Sequence, residues 1–144
     1  IRDERKRQAV ESIDRNMQEA NENHTERFRN MLDKLNEHLE KLRARTAAAK
    51  EKGADTASVE TSIAQAQTAI AAAQAAVSAQ AGKTYAIQFS SEETLGENVS
   101  ETHRSFKDDI SAVRETVRAA VAALKSAAKA LSSAVAVIAP EEDQ

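Results

Sequence analysis

The histidines His24, His38 and His103 are the residues of this chain best suited to metal or proton chemistry. Neutral imidazole is a common metal ligand and titrates near neutrality. His24 and His103 fall on apolar stripes of two different segments, so their rings could share a metal if two helices met at one height. Glu22 and Glu26 flank His24, but the Glu-x-x-His arrangement of carboxylate-bridged metal pairs does not occur. The pattern therefore favours partly exposed seam histidines over ligands. Asp108 and Asp109 are adjacent, which on a helix points their carboxylates about 100° apart, a poor arrangement for shared acid–base work. Glu92 and Glu93 suit a helix's first turn, where the macrodipole welcomes acids. There is no serine elbow and no glycine-rich phosphate loop. Cysteine is absent, which removes disulfides and thiolate chemistry. Asn23-His24-Thr25 and Asn98-Val99-Ser100 match the glycosylation pattern but fall within expected helices. The reading is of a chain that is not an enzyme and takes no metal and no cofactor.

The elements that must carry these residues are long helices. The 144 residues include three Gly, one Pro, three Phe, one Tyr and no Trp, and much of the apolar content is alanine. Alanine with Glu, Lys, Arg and Gln forms helix readily, and it buries little area, so narrow helices are expected rather than a deep core. Acids and bases are mixed along the chain with a net charge of −3. No clustered basic face is visible, so no nucleic-acid partner is expected. Arg2, Arg5, Lys6 and Arg7 form a small basic group interrupted by Asp3 and Glu4, read as a solvated helix start. No run of about twenty apolar residues is present, so no membrane span is expected.

The clearest signal is a seven-residue repeat near the C-terminal end. Val99, Phe106, Val113, Ala120, Ala127 and Ala134 form one series, and His103, Ile110, Val117, Leu124, Leu131 and Ile138 the other. Together they make one stripe on a helix, as in a bundle seam. This helix is expected over about 91–138, capped by Ser90 or Ser91 with a Ser90–Glu93 capping box, weakened near Gly96 and ended by Pro140 and an acidic tail over 139–144. A first helix is expected over about 2–52, roughly 75 Å long. Its stripe of Val10, Ile13, Met17, Ala20 and His24 shifts phase before Phe28, Leu32, Leu35, Leu39 and Leu42. Lys50, Lys52 and Gly53 signal its end, and Asp55 or Thr56 caps a second helix over about 56–81. That second helix, with Val59, Ile63, Ala66, Ile70, Ala73 and Val77 as its stripe, covers about half the first. Tyr85, Ile87 and Phe89 alternate with Ala86 and Gln88, so 82–90 is expected to run on as an extended segment in the groove the short helix leaves. The expected fold is one all-α domain over 1–144, an elongated up-down-up three-helix bundle or coiled coil. The alternative is an open hairpin completed by another chain.

The second helix also has the least ordinary surface. No charged residue occurs between Glu60 and Lys83. Solvated helices normally carry charge outward, and a neutral, small-residue face lets another backbone approach. Gln65, Gln67, Ala72, Gln74 and Ala76 are therefore the expected interface, extended by Val135 and Ile138 in the uncharged stretch from Ala130 to Ala139.

Leu35, Leu39 and Leu42, then Gly53-Ala54-Asp55-Thr56, then Ala-Gln-Ala repeats with Ile63 and Ile70, resemble small uncharacterised helical proteins, predicted as secreted, of candidate-phylum bacteria. The resemblance implies an extracellular or periplasmic protein whose upstream signal peptide has been removed, and it brings no known activity. Periplasmic helical chaperones with a Leu-Thr-x-x-Gln repeat are a second comparison, but that repeat is absent here. The expected function is a non-enzymatic structural or protein-interaction module of the cell envelope or extracellular space, binding itself or another protein. The alternative is a holdase-like or amphipathic lipid-binding protein whose bundle opens to present Phe28, Leu32, Phe106 and Ile110. Membrane-surface contact has no basic amphipathic face in the linear sequence to support it.

Overall fold

The computed structural model describes residues 2–87 and 92–142. It is all-α, with helices α1 (Arg2–Glu51), α2 (Ala57–Ala81) and α3 (Glu92–Glu142), each packed against the other two. Cross-helix partners give the directions. Lys50 meets Glu60, Arg43 meets Gln67 and Asn21 meets Gln80, so α1 and α2 are antiparallel. His24 lies against Phe106, while Leu35 and Arg45 share a groove with Val121 and Ala128, so α1 and α3 run parallel.

The hairpin between α1 and α2 follows from its glycine. Gly53 has φ +94°, the left-handed conformation that costs other residues energy. The Gly53 N–H then donates to the Lys50 carbonyl and the Ala54 N–H to the Ala49 carbonyl, which satisfies the end of α1 in a Schellman arrangement. Ala49 and Ala54, the two ends of that motif, are both buried. Thr56 occupies the N-cap position of α2 without a side-chain cap bond, and Asp55 instead accepts from the Ala57 N–H through Oδ1 at 3.2 Å.

The core runs along the axis. Leu32, Val59, Ile70 and Val77 are at most 2% exposed, each burial stabilising by about 1.5–3 kcal/mol. Ala66 and Ala73 of α2 and Ala120 and Ala127 of α3 are fully buried. Such small side chains let two helices approach closely, and α2 makes its most extensive contact with α3. The leucines of α1 keep that helix further off, and α1 and α3 make the least contact of the three pairs.

Several expectations need correction. The helix α3 does not stop at 138 but continues through Pro140 to Glu142. Proline's φ is itself helical, so the chain carries on at the cost of one backbone hydrogen bond. His103 is exposed rather than in the seam, because α2 has ended before this level of α3. Gln80, a polar residue in the last turn of α2, is 1% exposed. Finally, Thr94–Ile138 is long and apolar enough by composition to cross a membrane. Alanine and valine raise its mean hydropathy without forming an unbroken apolar run, and 17% of its most apolar window is buried in the bundle.

After α2 the structure describes the first part of the segment expected over 82–90. Residues 83–87 are non-helical, Tyr85 bonds to Asp109 of α3, and the Ile87 N–H donates to Asp14 Oδ1 of α1 at 3.2 Å. Ile87 is buried while Ala86 is exposed, the alternation of an extended strand of chain. Phe89, the Ser90 and Ser91 caps, and the acidic end of the chain over 143–144 lie outside the described residues; Glu93 does too as a side chain.

Candidate functional site

Helical periodicity turns α2 and α3 into one shared outer face. On α2, Gln65 and Ala72 are exposed. Ala76 is half-buried and shares a shallow groove with Ala112 and Thr116 of α3. Seven-residue steps then bring Ala119, Ser126 and Ser133 of α3 to the same side, all exposed. A second row, Ala123, Ala130 and Val137, ends in the most exposed large apolar side chain described, Val137 at 76%. This face carries no charged side chain over most of its length.

The candidate interface residues do not all meet there. Gln67 accepts a hydrogen bond from Arg43 Nη2 of α1, and Gln74 lines a groove with Arg29, Leu32 and Asp33 of α1, so both turn away from α3. Val135 is exposed, while Ile138 is half-buried against the end of the core. Val137, two residues from Val135, continues the uncharged face instead. Val137 lies with Ile138 in the uncharged stretch from Ala130 to Ala139 from which the sequence expects the interface to be extended.

A buried polar network closes the end of α2. Asn21 Nδ2 donates to the Gln80 carbonyl at 2.9 Å, and Gln80 Nε2 donates back to Asn21 Oδ1 at 2.9 Å. The second proton of that amide goes to the Tyr85 hydroxyl at 2.8 Å. Tyr85 donates to Asp109 Oδ2 at 2.6 Å, and Lys83 Nζ sits 3.3 Å from the same oxygen. The network ties α1, α2, the following segment and α3 at one level. Burial and the bond to the Asp109 carboxylate push the Tyr85 hydroxyl up to about 12. Its ring packs edge-on against Phe106 at 5.1 Å. A shallow groove reaches Gln80, Lys83 and Asp109 from outside, but the amides, the hydroxyl and the carboxylate are bonded to one another, the arrangement of a clasp. The sequence holds one trace of it. Between Met17 and Phe28 the buried positions are Asn21 and Thr25, which replace apolar residues where the stripe changes phase.

The third feature is a groove of about 480 Å³ between α1 and α3. Its floor is Leu35, Leu42, Val121, Leu124 and Ala128. Its rim is His38, Lys41 and Arg45 on α1 and Lys125 on α3. Arg27 and Arg114 continue the positive potential toward His24, and periodicity places Lys34 on the same flank. Basic residues are thus gathered on one face, contrary to the expectation from the linear sequence. Successive acids and bases in α1 point to opposite flanks, and only the position of α3 decides which flank borders a groove.

The three histidines do not form one site. His24 stacks on Phe28 at 6.3 Å and meets Phe106 at a tilt at 6.2 Å. Burial, then Arg114 and Arg27, lower its pKa from the ordinary value. His38 lies on the α1–α3 groove, and His103 lines a separate surface hollow with Val99 and Lys107. Among the described residues no cluster of three His, Cys, Asp or Glu suits a metal. A scan against family models gives no match, and searches of curated proteins and of solved structures give no significant match.

Proposed function

We propose that this chain is a non-enzymatic helical interaction module that associates with copies of itself through the α2–α3 face, as a structural component of the cell envelope or extracellular space. The observation that carries the reading is the uncharged outer surface that runs from beyond the Lys83–Asp109 pair beside Ala76 and Ala112 to Val137. A helix facing only water gains solubility from outward charge, and this face gives that up along its length. Small side chains let a second helix pair approach closely, and the exposed Val137 adds apolar area at one end. The exported location rests on the resemblance of the hairpin region to small secreted helical proteins, and fractionating the source cells tests it.

Self-association is tested by light scattering over a concentration series. The native chain is expected to exceed the 15.6 kDa of one copy. Ala72→Glu, at an exposed position on the face, is expected to return the mass to one copy while circular dichroism stays unchanged. A native mass of one copy at every concentration would remove the reading.

A further inference from the structure

We propose that the α1–α3 groove binds a single-chain anionic amphiphile, a long-chain carboxylate. Its alkyl chain lies on the apolar floor, and its carboxylate pairs with Lys41, Arg45 and Lys125. This ligand site is separate from the self-association face and does not depend on it.

Three observations select this occupant. The first is charge. The rim's ionisable side chains are three cations and a histidine, on a chain whose net charge is −3. Among the described residues, Lys41, Arg45 and Lys125 have no carboxylate within ion-pair distance. Lys50 and Lys83 in other grooves pair with Glu60 and Asp109, whereas Arg29, Arg104 and Lys107 in further grooves have no such partner among the described residues. The α1–α3 groove is distinguished by three such cations around one apolar lining that contains no acid.

The second is the floor. Leu35, Leu42, Val121, Leu124 and Ala128 offer no side-chain hydrogen-bond donor or acceptor. Phosphate backbones are held by arginine and lysine together with hydroxyls, amides and backbone N–H groups. A floor of aliphatic carbons instead gains from covering by another apolar group. Basic rim and apolar floor together match a ligand that is anionic at one end and aliphatic along the rest.

The third is size. The volume of about 480 Å³ falls within the range of small-ligand sites rather than of a macromolecular interface. From Leu35 to Arg45 the helix rises about 15 Å, enough to lay down an extended alkyl chain with its head beside Arg45. The cause of the groove is in the packing. Alanines draw α2 onto α3, and the leucines of α1 leave the third side of the bundle less closely filled.

The experiment is titration calorimetry of the full chain with dodecanoate below its micelle concentration. Dodecanol, acetate, phosphatidylglycerol vesicles and a short DNA duplex are titrated beside it. Saturable binding of one dodecanoate per chain is expected, at least about tenfold tighter than dodecanol, the size of one charge-assisted contact. Acetate is expected not to bind. The variant Lys41→Glu/Arg45→Glu/Lys125→Glu changes only exposed side chains and is expected to lose about tenfold or more with helicity unchanged. Val121→Glu, which puts a carboxylate on the floor, is expected to abolish binding. Amide shifts on adding dodecanoate should map to Leu35, Val121 and Ala128. The proposal is overturned if dodecanoate fails to saturate, if dodecanol binds equally well, or if the shifts map elsewhere. It is equally overturned if vesicles or DNA bind and dodecanoate does not, which would make the face a phosphate-binding surface.

Discussion

Tyr85 is the side chain in which sequence and environment differ most. As the one tyrosine of a chain without tryptophan, its ionisation can be followed alone by ultraviolet absorbance. We expect a midpoint near 12 rather than the ordinary value of 10. Replacing Asp109 with Asn removes the carboxylate that accepts its proton, so Asp109→Asn should bring the midpoint down, with burial still holding it above 10. The folded chain holds this proton more tightly than the unfolded chain. Its contribution to stability is therefore complete below pH 10 and lost as pH rises toward about 12. His24 acts in the opposite range. Its folded pKa lies below 6.5, so the unfolded chain binds the proton more readily. Stability from this residue is full above pH 6.5 and falls on acidification until the folded imidazole is itself protonated. Urea melts at pH 7.5 and at successively lower pH should show this fall, and His24→Leu should flatten it (melts whose slopes with pH do not differ between the two proteins would count against it).

At the scale of the helices, the buried amides and the hairpin glycine carry separable effects. Asn21 and Gln80, both buried, satisfy one another through two hydrogen bonds. Asn21→Leu leaves one Gln80 side-chain proton without an acceptor, while the Gln80 carbonyl still accepts from the Lys83 N–H, and should cost about 1–3 kcal/mol in urea melts. Asn21→Leu with Gln80→Leu should recover part of that loss, because two apolar groups replace a broken pair. Gly53 is a purely conformational case. A Cβ there would meet nothing within 4 Å, yet φ is +94°. Gly53→Ala should therefore cost about 1–2 kcal/mol from backbone strain alone, with the oligomeric mass unchanged. These two elements differ in how readable they are. Gly53 was visible because cations, glycine and a following N-cap residue form a local signal. The Asn21–Gln80 pair was not, because 59 residues separate its members and neither has a local pattern that marks it as buried.

Over the whole molecule, three long surfaces of different character run side by side. The α2–α3 face is neutral, the α1–α3 face is basic around an apolar groove, and the acids of α1 such as Asp33, Glu37 and Glu40 fall on its remaining side. A bundle with one neutral face and charged others has one orientation in which copies meet without opposed like charges. Adding salt should therefore leave self-association through the α2–α3 face nearly unchanged, as read by light scattering, and should weaken dodecanoate binding at the groove, as read by calorimetry. A self-association that vanishes with salt would place the contact on the charged surfaces instead.

Amino-acid order alone determined the all-helical class, the hairpin at Gly53 and the apolar stripes, because 3.6-residue periodicity and turn chemistry act within one segment. It also determined that α2 carries no charge after Glu60. Tertiary structure alone decided which residues meet across segments. It buried Gln80, joined Tyr85 to Asp109, turned Gln67 and Gln74 toward α1, exposed His103 and carried α3 past Pro140. It also gathered cations from two helices around one groove. The physical reason is that a helix fixes the angle of each side chain about its own axis, whereas the contacts of that side chain depend on where the neighbouring axes lie.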